Sequence, residues 1–431
     1  MRRGSGAAVQ GGGRWCRISR YLALAFLFLM SGIASAQETA PPPRGAADEL
    51  TVYLMTMGPG EAVWERFGHN AIWIHDPARG TDEAYNYGLF DLRQENFLVR
   101  FLQGRMWYWM QGFPSESYVQ LYRRANRSVW IQELEMSPQA KRDLQKFLEW
   151  NELPENRFYH YDYYLDNCST RVRDALDRAM AGRIKDFADS LPTGKTYRFH
   201  TQRLTANDPF VYTGLLLGLG QPVDREISAW EEMFLPLALR DHIRNVTVPG
   251  SDGSQLPAVR SERTLFESTE ASPPAAPPFW LPAYVALGVA VAAATVALAW
   301  AGTTSPASRR SFMALSAGWT LLAGIFGLVL AGLWAFTDHA AAYQNENLLQ
   351  LNPLQLALFP LLVRSTSIST PRRVWISGFL AVLSLAGFAL KLIPGFYQVN
   401  SEIIGLALPI HLGVAAGCYY LSRCIPSRAS A

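Results

Sequence analysis

Long apolar segments fill the C-terminal third of the chain. They cover approximately residues 280–301, 312–336, 348–363, 374–393 and 403–421. Four of them reach the roughly 20 residues that are needed to cross the hydrocarbon core of a bilayer. The third is shorter and contains an Asn-Pro pair at 352–353. We therefore predict an all-α transmembrane domain of about five helices over residues 280–422, with a cytoplasmic tail over 423–431.

The preceding residues have the mixed pattern of a globular α+β domain. Thr51–Thr56 and Asn70–Ile74 are rich in β-branched and aromatic residues, and a turn near Gly80 leads to a third predicted strand around Ala84–Tyr87. Helical spacing follows: Ser137 is a good N-cap before Pro138, and another helix begins at Cys168. This domain is predicted over residues 37–270, and a Pro-rich and Ala-rich linker over 271–279 separates it from the apolar segments.

The first residues resemble a secretory signal. Several arginines precede an apolar run over residues 21–30, and Ala34-Ser35-Ala36 then forms a small-x-small cleavage site. We predict a signal peptide over residues 1–36, with an uncleaved anchor helix as the alternative. Arginines at 309–310, 372–373 and 423 fall between or after the apolar segments on one predicted side. By the positive-inside rule, the chain is a multi-pass protein of the inner (cytoplasmic) membrane whose large domain is periplasmic.

Composition, charge and residue spacing argue against a nucleic-acid-binding protein, a metalloprotein and a phosphate-binding loop. The chain is 49% hydrophobic and only 17% charged, and its net charge is +3 without a basic block, so a nucleic-acid partner is not expected. The histidines at 160, 200 and 242 lack the spacing of metal ligands, and no Gly-rich phosphate loop follows a predicted strand. We expect neither a metal nor another cofactor.

Cys168 is the principal candidate for chemistry. Of the four cysteines it alone lies in the predicted periplasmic domain. Structural cysteines of exported domains normally occur in pairs, so a lone thiol indicates a chemical task, although a small buried side chain is the alternative. Asp166 or Asn167 is placed to cap the helix, and Cys168 continues its apolar stripe toward the sheet. The N–H groups and dipole of the first turn are expected to lower the pKa of the thiol.

A histidine and an asparagine on the predicted strands complete a possible catalytic group. Alternation after His69 places it on one face with Ala71 and Trp73, which we expect to face the Cys168 helix. His69 would then accept the thiol proton as a general base. Asn86, on the next strand, is predicted to lie a diagonal step from His69, where it would orient the imidazole.

Three sequence stretches resemble the Lnb lipoprotein N-acyltransferase family. They are FGHNAIWI (67–74), YNYGLFD (85–91) and YHYDYYLDNCSTRVRD (159–174), and HAAAYQNENLLQLNPL (339–354) resembles the polar segment that leads into the third membrane helix of that family. The resemblance implies a circularly permuted papain-like (NlpC-type) periplasmic domain with Cys168 as nucleophile, His69 as base and Asn86 as a weaker third member. It also implies N-acylation of the lipidated N-terminal cysteine of lipoproteins, so the expected partners are lipoprotein N-termini, phospholipid and the membrane.

Other residues are predicted to contact the substrate. The polar loop between the second and third apolar segments offers His339, Asn345 and Asn347 to headgroups or peptide, and Asn167 lies beside the nucleophile. An ordinary solvated loop is the alternative. The aromatic run over residues 107–110 is either part of the core or the lining of an acyl groove.

Two other functions agree with the same residues. The first is a membrane-tethered NlpC-type cysteine peptidase or amidase that acts on the cell wall, which a polar open cleft would favour. The second is a non-catalytic envelope binding module, which a wide separation of Cys168 and His69 would favour. An apolar connection from Cys168 toward the membrane would favour the acyltransferase.

Overall fold

The fold is described from a computed structural model of residues 50–250, 252–364 and 369–425. The predicted signal peptide and most of the predicted tail lie outside these residues. The strands, in chain order, are β1 (Thr51–Met57), β2 (His69–Asp76), β3 (Thr81–Leu89), β4 (Trp107–Pro114), β5 (Val129–Leu134), β6 (Phe158–His160), β7 (Pro192–Thr196), β8 (Glu226–Ser228), β9 (Thr247–Pro249), β10 (Gln255–Pro257) and β11 (Val259–Phe266).

The α-helices of the periplasmic part surround these strands. They are α1 (Phe97–Gln103), α2 (Ser115–Arg124), α3 (Pro138–Glu152), α4 (Cys168–Ala179), α5 (Arg183–Ala188), α6 (Tyr197–Leu204), α7 (Pro209–Gly218), α8 (Ala229–Glu232) and α9 (Pro236–Ile243). The predicted caps are present at α3, where Ser137 accepts a hydrogen bond from the Ala140 N–H, and at α4, where Asn167 is the N-cap.

Seven strands form one antiparallel sheet in the spatial order β11-β5-β1-β2-β3-β4-β6. The three strands predicted from β-branched and aromatic residues lie side by side in its centre. Their register places Ala71 opposite Asn86, as the position of the turn predicts. The aromatic run over residues 107–110 belongs to β4. The α+β class is confirmed.

Both faces of the sheet are covered. One face packs on α3, α4 and α9, and its central residues are Val52, Leu54, Ile72 and Ile74 of the sheet with Val172 and Leu176 of α4. The other face packs on α2, through Ala71 and Trp73 with Tyr118, Val119 and Tyr122. The expected orientation of β2 was therefore wrong. The face that carries Ala71 and Trp73 packs on α2, because the stripe of α4 is already matched by the alternate residues Ile72 and Ile74.

The C-terminal part is a helical membrane domain. Its helices are α10 (Leu281–Ala301), α11 (Pro306–Phe336), α12 (Gln355–Val363), α13 (Ser369–Ala389) and α14 (Ser401–Cys424). Within the described residues, α10, α11, α13 and α14 are long and apolar enough to cross a membrane. The nine residues of α12 form only about 14 Å of helix, less than half of the hydrocarbon thickness.

The segment before α12 is irregular and polar, yet it lies inside the bundle. Gln350 donates to the Ser384 carbonyl (2.9 Å), and Gln355 lies 3.1 Å from the His411 ring nitrogen. A backbone carbonyl of α13 and a side chain of α14 are thus partners for polar side chains of this segment, which lipid would leave without partners. The third apolar segment is therefore a short helix preceded by an interrupted stretch, and the prediction of five crossings stays a prediction.

Candidate functional site

The first turn of α4 fixes the position of Cys168. The Asn167 side chain accepts hydrogen bonds from the N–H groups of Ser169 (2.8 Å) and Thr170 (3.0 Å). Its amide group donates to the carbonyl of Phe234 (3.0 Å). Asn167 is buried, and its polar atoms hold the start of the helix. Its observed contacts therefore make it a positioning residue, and its expected contact with a substrate stays a prediction.

His69 is the first residue of β2, and Asn86 of β3 holds its ring. His69 Nε2 and Asn86 Oδ1 form a short hydrogen bond. Because an amide oxygen only accepts, Nε2 carries the proton and Nδ1 is left as the proton acceptor. The imidazole also stacks on Tyr122, with ring centroids 6.4 Å apart, and the Arg127 guanidinium lies 4.7 Å from the centre of that tyrosine ring.

Cys168 and His69 meet at Gly88. This glycine has φ +95°, and the pairing of β3 with β4 shifts register between Tyr87 and Leu89. A Cβ at Gly88 would lie 3.3 Å from Cys168 Cβ, 3.8 Å from His69 Cε1 and 3.9 Å from the Tyr159 hydroxyl. The three groups thus border one small space that is open because residue 88 has no side chain.

One hydrogen bond between the neighbours of Cys168 and His69 connects α4 to β2. Ser169, which follows Cys168, donates from Oγ to Asn70 Oδ1 (2.8 Å), and Asn70 follows His69. The Asn70 amide in turn donates to Thr56 Oγ1 of β1 (2.9 Å). All three side chains are buried. This connection joins the residue after Cys168 to the residue after His69, although α4 packs on one face of the sheet and the His69 ring on the other.

Burial dominates the acid–base properties of the pair. It raises the pKa of the Cys168 thiol to about 11, although the backbone N–H groups of Asn70 and Ser169 and the charge of Arg127 oppose it. It lowers the pKa of His69 to about 4, against the effect of the hydrogen bond to Asn86. The expected lowering of the thiol pKa was wrong, because desolvation outweighs the N–H groups of the first helical turn. At neutral pH both groups are therefore uncharged.

The polar loop after α11 lies between the periplasmic part and the bundle. Asn345 and Asn347 are buried, and their amides donate to the carbonyls of Leu217 (2.7 Å) and Leu216 (3.1 Å) at the end of α7. His339 Nε2 donates to the Phe101 carbonyl of α1 (2.9 Å). These observed contacts are within the protein, and the expected headgroup and peptide contacts of His339, Asn345 and Asn347 stay predictions.

The sequence analysis did not predict that several other residues belong to the site. Gly88 and Tyr159 border the reactive space, Tyr122 supports the imidazole, and the Asn70–Ser169 bond joins the two elements. Two of them have a signal in the sequence, because Asn70 and Ser169 directly follow the predicted base and nucleophile. Tyr122 lies on α2, whose amphipathic pattern gives no sign of contact with His69. Within the described ranges, no group of three or more His, Cys, Asp or Glu side chains is arranged to hold a metal ion.

Comparison with protein families identifies both parts of the chain. The model of the Lnb N-terminal periplasmic domain matches residues 44–203, and that of the Lnb transmembrane domain matches residues 277–420. Searches of curated proteins and of solved structures find no match. The two family matches are in the same order as the two parts of the structure, and together they cover more than half of the sequence. The chain is therefore a membrane protein with a periplasmic domain, and it belongs to the Lnb family.

Proposed function

We propose that this protein is a membrane-bound, cysteine-dependent acyltransferase that N-acylates the lipidated N-terminal cysteine of lipoproteins. Cys168 is the nucleophile, His69 the general base and Asn86 the residue that positions the base. The observation that carries the proposal is the space beside Gly88, which both Cys168 and His69 border. Membership in the Lnb family supports lipoprotein processing at the periplasmic side of a membrane.

The first step transfers an acyl group to the enzyme. His69 Nδ1 takes the thiol proton while Cys168 Sγ attacks the carbonyl carbon of a phospholipid ester. The ester C–O bond breaks, and the imidazolium gives its proton to the departing alkoxide. The products are an acyl thioester on Cys168 and a lysophospholipid. Since thiol and imidazole are both neutral at rest, the proton leaves the sulfur only when an electrophile is in place.

The second step transfers the acyl group to the lipoprotein. The α-amine of its N-terminal cysteine attacks the thioester carbonyl and loses a proton to His69 Nδ1. The C–S bond then breaks, an amide forms, and the Cys168 thiolate takes the proton from the imidazolium. One ester bond has been exchanged for one amide bond, so the cycle consumes no cofactor or oxidant.

Tyr159 is placed to stabilise the oxyanion that forms in each step. Its hydroxyl is buried next to the space at Gly88, and within the described part of the chain it has no hydrogen-bond partner. A buried donor without a partner is costly unless it is used in another state of the molecule. A carbonyl oxygen beside Cys168 would accept from Tyr159 Oη as its negative charge develops.

The side chains around Cys168 favour a lipid over a cell-wall peptide. Tyr108 and Tyr161 pack in the same apolar cluster as Cys168, and their rings stack at 4.1 Å. The periplasmic end of the bundle is close to this part of the domain, because Arg105, which precedes β4, forms an ion pair with Asp338 after α11 (2.6 Å). Apolar aromatic walls near a membrane surface suit a fatty acyl chain better than the polar backbone of a peptide.

Mass spectrometry of lipoprotein N-termini tests the proposal. Cells with the wild-type gene should contain N-acylated lipoproteins, and cells without the gene or with Cys168→Ser should contain free N-termini. Cys424→Ser is the matched control, because it makes the same chemical change at an exposed thiol near the end of α14. N-acylation that continues without the gene would contradict the proposal. Purified wild-type protein with phospholipid and no amine acceptor should accumulate a hydroxylamine-sensitive acyl group on Cys168.

A further inference from the structure

Helix α1 is an unusual surface feature of the periplasmic domain. Its sequence is FLVRFLQ, and four of its apolar side chains are exposed to solvent: Leu98 (67%), Val99 (51%), Phe101 (40%) and Leu102 (58%). A single exposed leucine needs no explanation, but a helix of seven residues with four exposed apolar side chains does. Its only charged residue, Arg100, has a long side chain that can reach a headgroup while the leucines are buried.

The C-terminal end of α1 is attached to the end of a membrane helix. The Asp338 N–H donates to the Gln103 carbonyl (2.8 Å), and Asp338 lies two residues after the last residue of α11, Phe336. His339 and Arg105 add a second hydrogen bond and an ion pair between the same two segments. A helix of seven residues is about 10 Å long, and Asp338 is two residues beyond Phe336, so all of α1 lies within about 20 Å of the end of this membrane span.

Exposed aromatic side chains also lie at the end of α11. Trp334 and Phe336 are exposed there, and aromatic residues are enriched where membrane helices meet the interface with water. Because the Gln103 carbonyl is hydrogen-bonded to Asp338, which closely follows Phe336, the exposed leucines of α1 are near these aromatic side chains. Lys or Arg combined with Phe and Leu is also typical of helices that lie in the membrane interface.

The other side of α1 leads toward the nucleophile through a row of aromatic rings. Phe97 lies 6.3 Å from Phe90, Phe90 stacks on Tyr108 at 5.0 Å, and Tyr108 stacks on Tyr161 at 4.1 Å. Tyr108 and Tyr161 share the apolar cluster of Cys168. Tyr161 is close enough to Cys168 to interact with it electrostatically, so the row of rings leads from α1 toward the thiol.

From these contacts we propose that α1 inserts into the periplasmic leaflet of the membrane that holds the bundle. The aromatic row formed by Phe97, Phe90, Tyr108 and Tyr161 then guides an acyl chain from that leaflet to Cys168. The second part of this inference rests on the proposed acyltransferase function, whereas the insertion of α1 does not. The exposed face of α1 therefore contacts the lipid of this leaflet. Binding of a protein partner to this face in place of lipid would contradict the proposal.

The insertion is tested by a spin label at position 98 in the full-length protein, reconstituted in phosphatidylethanolamine and phosphatidylglycerol vesicles. Leu98→Cys is made with Cys16, Cys168, Cys418 and Cys424 replaced by serine, and Leu153→Cys in the same background is the control. Leu153 is an exposed leucine at the end of α3. The label at 98 should collide more often with oxygen than with a water-soluble nickel complex, and the label at 153 should show the reverse. Equal water exposure at both positions would overturn the insertion.

The acyl route is tested with the double variant Leu98→Asp/Leu102→Asp. Thioester formation on Cys168 from vesicle phospholipid should fall at least tenfold, while thioester formation from a short, water-soluble acyl thioester should be unchanged. Leu153→Asp should leave both reactions as in the wild type. Equal loss with both donors, or no loss with either, would overturn the route. If wild-type protein reacts with neither donor, the proposed function fails instead, so the two failures are distinguishable.

Discussion

Substitution of Gly88 by alanine is the sharpest test of the site, because it adds one methyl group between the two reactive side chains. The new Cβ would lie 3.3 Å from Cys168 Cβ, closer than ordinary van der Waals contact, and 3.8 Å from His69 Cε1. In the proposed mechanism it would also occupy the space through which a substrate carbonyl approaches the sulfur. A displacement of about 1 Å in a reacting group can cost on the order of 100-fold in rate. We therefore expect acyl transfer by Gly88→Ala to fall about 100-fold.

The substitution also has a backbone cost, which requires a control. Gly88 has φ +95°, where an L-residue is less stable than glycine by about 1–2 kcal/mol. Gly80, in the turn between β2 and β3, has φ +66°, and a Cβ there meets nothing within 4 Å. Gly80→Ala should thus lose a similar free energy of unfolding, with a similar drop in Tm, but retain its activity.

The assay measures both quantities for both variants. Thermal unfolding of the purified proteins gives the change in Tm, and the rate at which radiolabelled acyl groups accumulate on Cys168 gives the activity. If Gly80→Ala loses as much activity as Gly88→Ala, the loss comes from strain and not from the new methyl group. If Gly88→Ala transfers acyl groups at the wild-type rate, Cys168 and His69 do not react through the space beside residue 88.

Further results are expected for the residues around this space. His69→Ala should lower kcat by about 10²–10⁴-fold, as expected for loss of a general base, whereas Asn86→Ala removes one hydrogen bond and should cost about tenfold. Tyr159→Phe should lower kcat by about 10²–10³-fold with little change in KM or in the alkylation rate of Cys168, and unchanged kcat would exclude an oxyanion role. Because burial lowers the pKa of His69 to about 4, the base stays neutral above that pH. The rate of acyl transfer should stay constant from pH 7 to about 5 and fall only near pH 4. A fall in rate centred near pH 6.5 would indicate an unperturbed imidazole. Reporter fusions at Ser305 and Val399 should behave as cytoplasmic and periplasmic, respectively.

Local signals in the sequence predicted much of this architecture. The structure contains the strand that begins near His69 and the cap before Cys168, and it places Asn86 a diagonal step from His69, as predicted. Each depends on residues close in sequence: an alternating pattern, the length of a turn, or a side chain that reaches the next backbone N–H groups. The membrane helices are also predicted from local signals, because length and apolar composition decide whether a segment can cross a bilayer.

Properties that depend on distant residues were not predicted. The orientation of β2 was wrong because its two faces are both apolar, so alternation alone does not tell whether α2 or α4 covers Ala71 and Trp73. The predicted lowering of the pKa of the Cys168 thiol was wrong for a related reason. The helix dipole acts within one turn and is visible in the sequence, whereas desolvation comes from all the side chains that pack around the sulfur.

The junction between the two parts of the protein shows how the candidate site is fixed relative to the membrane domain. Helix α7 ends at Gly218, and the last carbonyl groups of a helix have no partner within it. Here some partners come from the membrane domain: Asn347 donates to Leu216, Asn345 to Leu217 and Gln398 to Leu219. Arg198 of α6, in the same domain as α7, also donates to the Leu219 carbonyl (2.9 Å). The end of α7 is therefore bonded both to its own domain and to the bundle, and these buried hydrogen bonds fix the position of α7 on the bundle. Since α1 is attached to the same membrane domain through Asp338, the α1 end of the aromatic row is held by contacts that involve neither Cys168 nor His69.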